Sequence, residues 1–235
     1  MEFYHLLNRG VDKRNIFLDK QDYYRFIHNL FEFNNQLPSY SNNYYFNQSS
    51  DIGCPKIEKD VTKKLGRKRQ KQKRKLLVNI HFFCLMPNHY HLMVSPVVED
   101  GIPRFMKKLN MGYAKYFNKK NDRVGALFQG KYKSVLVERD AYFLYLPYYI
   151  HLNPLDLKTP EWRENEIHNL KKSLEYLQSY RWSSHLDYTG VKNFPSVTQR
   201  KFFLEFFGGE KGYTKSIKKY LKDMNVDEMG GVILE

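Results

Sequence analysis

The sequence has few of the features expected of secreted, membrane or disulfide-stapled proteins. Its 235 residues include only two cysteines, Cys54 and Cys84. That number is too small for a disulfide framework or a thiolate zinc site, so we expect a reduced, cytoplasmic setting. No stretch approaches the roughly eighteen uncharged apolar residues of a membrane span. The first residues also lack the basic start and apolar run of a secretory signal. These absences favour a globular protein without a membrane anchor.

Acidic residues are also scarce relative to basic ones. The chain has 39 Lys and Arg against 25 Asp and Glu, a net charge of +14. Most of the excess lies in residues 56–75, where eleven basic residues face two acidic ones, a net of +9 from 11 − 2. Such concentration favours an arm that contacts phosphates over scattered surface charge, and Lys68, Arg69 and Arg74 are its candidate DNA-binding residues.

Hydrophobic periodicity predicts an α+β protein, with helices against one largely antiparallel sheet. Residues 76–86 and 89–95 read as a hairpin joined by Pro87-Asn88. In its first strand, alternate residues from 76 to 86 form one unbroken apolar face, with Asn79 and His81 on the other face. Other strands are predicted at 3–9 and 127–138. Helices are predicted at 20–33, 100–120, 140–153, 166–177, 199–207 and 215–224, with a break at Gly208-Gly209. We expect a main domain over 1–160 with a basic insertion at about 37–75, and a mainly helical extension over 161–235.

His89-Tyr90-His91 is the sharpest local feature. Residues i and i+2 of a strand share a face, so both imidazoles can reach one divalent ion. A chance pair of solvated histidines is about equally compatible with this pattern. A third ligand could come from the helix that ends at Asn153-Pro154, where Tyr149 and Asn153 lie one turn apart on one face. Taken alone, Tyr149 is better interpreted as a core aromatic, since it is one of nineteen tyrosines, and Asn153 as a helix-ending residue.

In combination, these motifs resemble a known family. Met86-Pro87-Asn88-His89-Tyr90-His91 is similar to the MPNHxH segment of HUH single-tyrosine transposases, and the chain looks most like their REP-associated branch. Further matches follow in the family's order, across residues 1–36 and 76–190. They are Asn8-Arg9-Gly10, Phe117-Asn118, Gly125 with Phe128-Gln129-Gly130-Lys131-Tyr132-Lys133-Ser134, Tyr149-Ile150-His151-Leu152-Asn153-Pro154, and Trp182-Ser183-Ser184.

The resemblance implies a ferredoxin-like sandwich and a DNA strand transferase that cuts and rejoins single-stranded or hairpin DNA through a 5′-phosphotyrosine. It implies that His89 and His91 hold Mg²⁺ or Mn²⁺, that Tyr149 is the nucleophile, and that Asn153 sits where a third ligand is expected. Arg9, Lys131 and Lys133 then become candidate DNA contacts.

Two departures from the family pattern affect this interpretation. Pro147 removes a backbone donor and should kink the helix two residues before Tyr149, which leaves Tyr148 as an alternative nucleophile. Lys131 replaces a family-typical arginine, so bidentate phosphate geometry is lost.

Three other functions remain open. The chain could be a non-cleaving DNA- or RNA-hairpin-binding descendant of a transposase, or a hydrolytic nuclease that uses His89 and His91 with water. It could also be a basic RNA-binding protein in which both histidines are structural. A monomer or a homodimer, cytoplasmic and associated with the nucleoid, is compatible with the sequence.

Overall fold

The computed structural model describes residues 1–37, 74–164 and 167–223. Most of the predicted basic insertion, including Lys68 and Arg69, therefore lies outside the described residues.

Up to Leu136, the described residues form a β-α-β-β-α-β unit. Strand β1 (Tyr4–Arg9) is followed by α1 (Lys20–Glu32), β2 (Val78–Met86), β3 (His89–Pro96), α2 (Gly101–Lys120) and β4 (Lys133–Leu136). The strands form one sheet in the order β2-β3-β1-β4, and each neighbouring pair is antiparallel. This is the ferredoxin-like arrangement, which confirms the predicted α+β class.

Each face of the sheet is covered by a separate set of helices. Helices α1 and α2 pack on one face, with Phe26, Leu109 and Tyr113 in that core. Helix α3 (Asp140–Leu152) packs on the other face together with α4 (Leu170–Ser179), α5 (His185–Tyr188), α6 (Lys201–Phe207) and α7 (Gly209–Lys222). Each large apolar side chain buried in these layers contributes about 1.5–3 kcal/mol.

Strand β2 departs from the predicted single apolar face. A β-bulge between Ile80 and Phe82 shifts the register. Val78 and Ile80 therefore pack with α1 and α2, whereas Phe82 and Cys84 pack with α3 and the C-terminal helices. The prediction of one unbroken face was wrong because the extra residue of a bulge reverses which face the following side chains occupy.

The strand predicted over 127–138 is also shorter than expected. Only Lys133–Leu136 forms β4, and Phe128 makes an isolated bridge to Gly10. Gly130 interrupts the extended backbone with a φ of 75°. Such left-handed backbone suits glycine and breaks the ladder.

The segment after α4 covers the outer edge of β2. Leu85 donates its amide to the Trp182 carbonyl at 2.9 Å, and Ser184 donates to the Phe83 carbonyl at 3.0 Å. Gln199 donates to the Ile80 carbonyl at 2.8 Å. These bonds satisfy an edge that would otherwise be open to pairing with another chain. Among the described helices, none combines the length and apolarity needed to cross a bilayer.

Buried neutral histidines predict acid sensitivity of this fold. Burial lowers the pKa of His81 and of His185 to about 4 from an ordinary value of 6.5. Below pH 6.5 the unfolded chain binds protons that the folded chain does not, so the free energy of unfolding should fall as the pH drops from about 6.5 to about 4. Each of the two histidines should contribute up to about 3 kcal/mol to that loss.

Urea denaturation across this pH range measures the effect. His185→Gln should flatten the dependence, whereas the same change at the exposed His168 should leave it unaltered. A pH profile that is equally steep in His185→Gln would contradict the assignment.

Candidate active site

The β2–β3 turn is anchored by the segment that follows β1. Gly10 donates its amide to the Asn88 carbonyl at 2.8 Å, and Ile16 donates to the Pro87 carbonyl at 2.8 Å. A Cβ at Gly10 would lie 2.2 Å from the Arg14 carbonyl oxygen, so only glycine allows this close approach. The turn that precedes His89 is therefore held by two backbone hydrogen bonds from one segment.

His89 and His91 project from the start of β3 toward the α3 face of the sheet. Their ring centroids are 4.9 Å apart and the rings are nearly perpendicular, at 87°. His91 is buried, and His89 is half-buried. The structure thus brings the two histidines together on one face, as their i, i+2 spacing requires.

Asn88 fixes the orientation of the His89 ring. The Asn88 side-chain oxygen lies 2.6 Å from His89 Nδ1, while the Asn88 amide nitrogen donates to the Lys13 carbonyl at 3.2 Å. Because an amide oxygen can only accept, Nδ1 of His89 carries the proton in this pair. In the neutral ring, Nε2 then holds the lone pair that a metal needs.

Two further side chains support His91. Its Nδ1 lies 2.9 Å from Nε2 of His5, and Nδ1 of His5 lies 2.7 Å from the Tyr142 hydroxyl. Burial lowers the pKa of His5 to about 3 and the pKa of His91 well below its ordinary value. Both imidazoles are therefore neutral, as metal ligation by His91 requires.

Tyr149 lies against this histidine cluster from the α3 side. Its ring centroid is 5.3 Å from that of His91 and 5.9 Å from that of His5, both in edge-to-face contact. The Arg163 guanidinium is 5.2 Å from the Tyr149 ring centre and makes two hydrogen bonds to Asp156, at 2.9 and 2.7 Å. Tyr149 is 7% exposed.

Tyr148 occupies a different face of α3. Its ring stacks on Tyr220 of α7 at 4.4 Å and 6°. Pro147 lies inside the continuous helix Asp140–Leu152. Of the two neighbouring tyrosines, Tyr149 is thus the one beside the histidines.

Asn153 is fully buried at the end of α3. Its amide nitrogen donates to the Tyr149 carbonyl at 3.1 Å, a helix-ending role. Its side-chain oxygen has no hydrogen-bond partner among the described residues. A buried acceptor without a hydrogen bond lowers the stability of the fold unless another group binds it.

An open cleft of about 410 Å³ lies beside the histidines. The residues lining it are Leu7, Asn8, Arg9, Lys13, Asn88, His89, His91, Gln129, Lys131 and Lys133. Four of these are cationic, and none of the lining residues that the structure describes is acidic. Arg9 donates Nε to the Gln129 side-chain oxygen at 2.6 Å, which holds its guanidinium at the cleft. The cleft suits an anion such as a phosphate.

Arg74 lies away from this cleft. Its guanidinium stacks 3.5 Å from the Phe31 ring centre and donates to the Phe31 carbonyl. Phe31 belongs to the end of α1, on the opposite face of the sheet from the histidines. The structure therefore places Arg9, Lys131 and Lys133 at the site and Arg74 elsewhere.

Several residues of the site carry no signal in the sequence. His5, Tyr142 and Arg163 reach the cluster only through strand pairing and helix packing, so no local spacing marks them. Gln129 is different, because it lies within the Phe128-Gln129-Gly130 motif and could have been proposed from it.

The side chains of this site provide some, but not all, of the ligands that one divalent cation needs. Nε2 of His91, like the side-chain oxygen of Asn153, is buried with no hydrogen-bond partner in the described chain. Both histidines have Nδ1 engaged by another group, the usual support of metal-ligating imidazoles. No cluster of three or more His, Cys, Asp or Glu within the described residues could hold a metal ion. A complete site would therefore draw its further ligands from Asn153, water or substrate oxygens.

Comparisons with known proteins identify a family model and a solved structure that resemble this chain. Residues 55–153 match the family model described as "Transposase IS200 like", and this range includes His89, His91, Tyr149 and Asn153. No curated protein matches the chain. Among solved structures, a REP-associated tyrosine transposase bound to a REP hairpin aligns with a TM-score of 0.44 and 11% sequence identity. That alignment covers 83% of this chain and 84% of the other. The resemblance seen in the motifs is thus confirmed: residues 55–153 of this chain match the IS200-like transposase family.

Proposed function

We propose that the chain is a metal-dependent strand transferase that cleaves and rejoins single-stranded, hairpin-associated DNA through Tyr149. The observation that carries this proposal is the Tyr149 ring packed 5.3 Å from His91, beside His89. A phenol and two imidazoles from distant parts of the chain thus meet next to a cationic cleft. Such an enzyme would act on DNA in the cytoplasm, at the nucleoid.

In the proposed reaction, Arg9, Lys131 and Lys133 bind the DNA backbone and bring one phosphodiester to the histidines. The Tyr149 oxygen attacks phosphorus and the bond from phosphorus to O3′ breaks. The products are a 5′-phosphotyrosine and a free 3′-hydroxyl, which takes up the proton lost by the phenol. Attack by a 3′-hydroxyl on the phosphotyrosine reverses these steps and rejoins the strand.

His89, His91 and Asn153 would hold the metal ion, Mg²⁺ or Mn²⁺. Bound there, the ion would polarise a non-bridging phosphate oxygen and offset the charge that develops during attack. The neutral state of His91, imposed by burial, keeps its nitrogen available for this role.

The test is an adduct assay with a single-stranded hairpin oligonucleotide and Mn²⁺. DNA labelled at its 3′ end should give a labelled protein band that resists denaturant, whereas DNA labelled at its 5′ end should give only a free fragment. Cleavage with both labels but no adduct would indicate a hydrolytic nuclease instead.

A second function, hairpin binding without cleavage, is favoured by the burial of Tyr149. At 7% exposure its side chain is not among the residues that line the cleft. Attack therefore requires α3 and the sheet to separate enough to admit a phosphate. If DNA binds tightly but no adduct forms with any label or metal, the chain is a binding protein.

The cleft lysines should set part of the salt dependence of DNA binding. Replacing both Lys131 and Lys133 with glutamine should flatten the log–log slope of affinity against salt by about 1.4–1.8, because two phosphate contacts are lost. Fluorescence anisotropy with a labelled hairpin at several salt concentrations measures the slope.

The matched control is Lys171→Gln with Lys201→Gln. These exposed lysines lie near Glu175 and Glu205 on α4 and α6, at 4.0 and 3.9 Å. The control pair should keep the original slope. Equal slopes for the cleft pair and the wild type would remove these two lysines from the binding surface.

A further inference from the structure

We propose that His5 is a positioning residue which, anchored by Tyr142, fixes the His91 ring so that its Nε2 faces the cation. This inference rests on the proposed function and extends it to two residues that the sequence motifs do not include. His5 and Tyr142 lie 137 residues apart in the chain and meet only in the folded protein.

Two successive hydrogen bonds connect the side chains of His91, His5 and Tyr142 in one line of contacts. Nδ1 of His91 contacts Nε2 of His5 at 2.9 Å, and Nδ1 of His5 contacts the Tyr142 oxygen at 2.7 Å. The two imidazoles also stack, with centroids 5.1 Å apart and an angle of 23°. All three side chains are buried, so water does not compete for these bonds.

Only one arrangement of protons along this line leaves His91 able to bind a metal. If Nδ1 of His91 donates to His5, and Nδ1 of His5 donates to the Tyr142 oxygen, then Nε2 of His91 is unprotonated. The reverse arrangement puts the His91 proton on Nε2 and blocks it. Each contact has one donor and one acceptor. The tautomer of His5 therefore determines which nitrogen of His91 is available to bind a metal.

The unsatisfied atoms of the site support the first arrangement. Nε2 of His91 is buried with no hydrogen-bond partner in the described part of the chain. An N–H there would leave a buried donor unpaired, whereas a lone pair directed at a cation would be satisfied. Asn88 performs the same task for His89 with a side-chain oxygen. Each histidine of the pair thus has its own supporting residue.

Titration with Mn²⁺ of the full chain, followed by calorimetry, tests the role of His5. His5→Phe keeps a ring in the buried space but removes both nitrogens, and should weaken Mn²⁺ binding by about 10- to 100-fold. His5→Gln places an amide oxygen near the former Nε2 and should restore most of the affinity. Tyr142→Phe should cause a smaller decrease, since only the anchor of His5 is lost.

The matched control is His81→Gln. His81 is another buried histidine of the same sheet, bonded to Ser95 at 2.9 Å and absent from the cleft. Its replacement should leave Mn²⁺ affinity unchanged, which separates positioning from a general loss of stability.

A second readout needs no metal. Long-range ¹⁵N correlation spectra of the histidine rings should show His91 protonated at Nδ1 in the wild type, and a mixture of tautomers in His5→Phe. Mn²⁺ binding by the wild type and by His5→Phe with equal affinity would overturn this inference alone. A wild type that binds no Mn²⁺ would overturn the metal site of the proposed function, and this inference with it.

Discussion

Replacing Tyr149 with phenylalanine should abolish the covalent protein–DNA adduct and leave the fold and hairpin binding intact. The substitution removes one oxygen and keeps the ring that packs edge-on against His5 and His91. Because no other group in the proposed reaction supplies the nucleophile, adduct formation should fall by about a thousandfold or more. Denaturing gels with 3′-labelled DNA and Mn²⁺ measure the adduct directly.

The matched control for this experiment is Tyr148→Phe. Tyr148 is the adjacent residue of the same helix, but it stacks on Tyr220 of α7 instead of on the histidines. Its substitution should leave the adduct yield unchanged. If Tyr148→Phe instead removed the adduct and Tyr149→Phe retained it, the nucleophile assignment would be reversed. If both variants still cut DNA without an adduct, water would be the nucleophile.

Much of the fold could be predicted because its signals are local. Strand β1, helices α1 and α2, and the turn at Pro87-Asn88 follow from periodicity and turn chemistry within short windows. The bulge in β2 could not be predicted from alternation, because both faces of that strand are buried. Phe83 and Leu85 enter one core while Phe82 and Cys84 enter the other. A strand that is apolar on both faces carries no pattern that fixes its register.

The residues of the candidate site also divide into those with a local sequence signal and those without one. His89 and His91 were predictable from their spacing on one strand, and Tyr149 from a motif. His5 was not, because it reaches His91 through antiparallel pairing of β1 with β3, where Leu7 is opposite His91 and His5 is two residues further along. The resulting contact between His5 and His91 joins positions 86 residues apart in the chain. Groups that orient a ligand come from any element that packs nearby, so their sequence spacing is not constrained.

Replacing either histidine of the pair should remove stoichiometric Mn²⁺ binding. We expect His91→Gln and His89→Gln each to weaken Mn²⁺ affinity by more than about a hundredfold, since loss of a ligand exceeds the loss of a supporting residue. The adduct yield should fall in parallel, because the phosphate would no longer be polarised. Calorimetry and the adduct assay on the same preparations provide both values.

The exposed His168 supplies the control, because it lies before α4 and outside the cleft. His168→Gln should bind Mn²⁺ and form the adduct as the wild type does. Comparison of the two readouts then separates the possible roles of the pair. If Mn²⁺ affinity fell and the adduct persisted, the ion would not take part in the reaction. If both persisted in His91→Gln, the buried Nε2 of His91 would have a structural role, and the proposed metal centre would have to be abandoned.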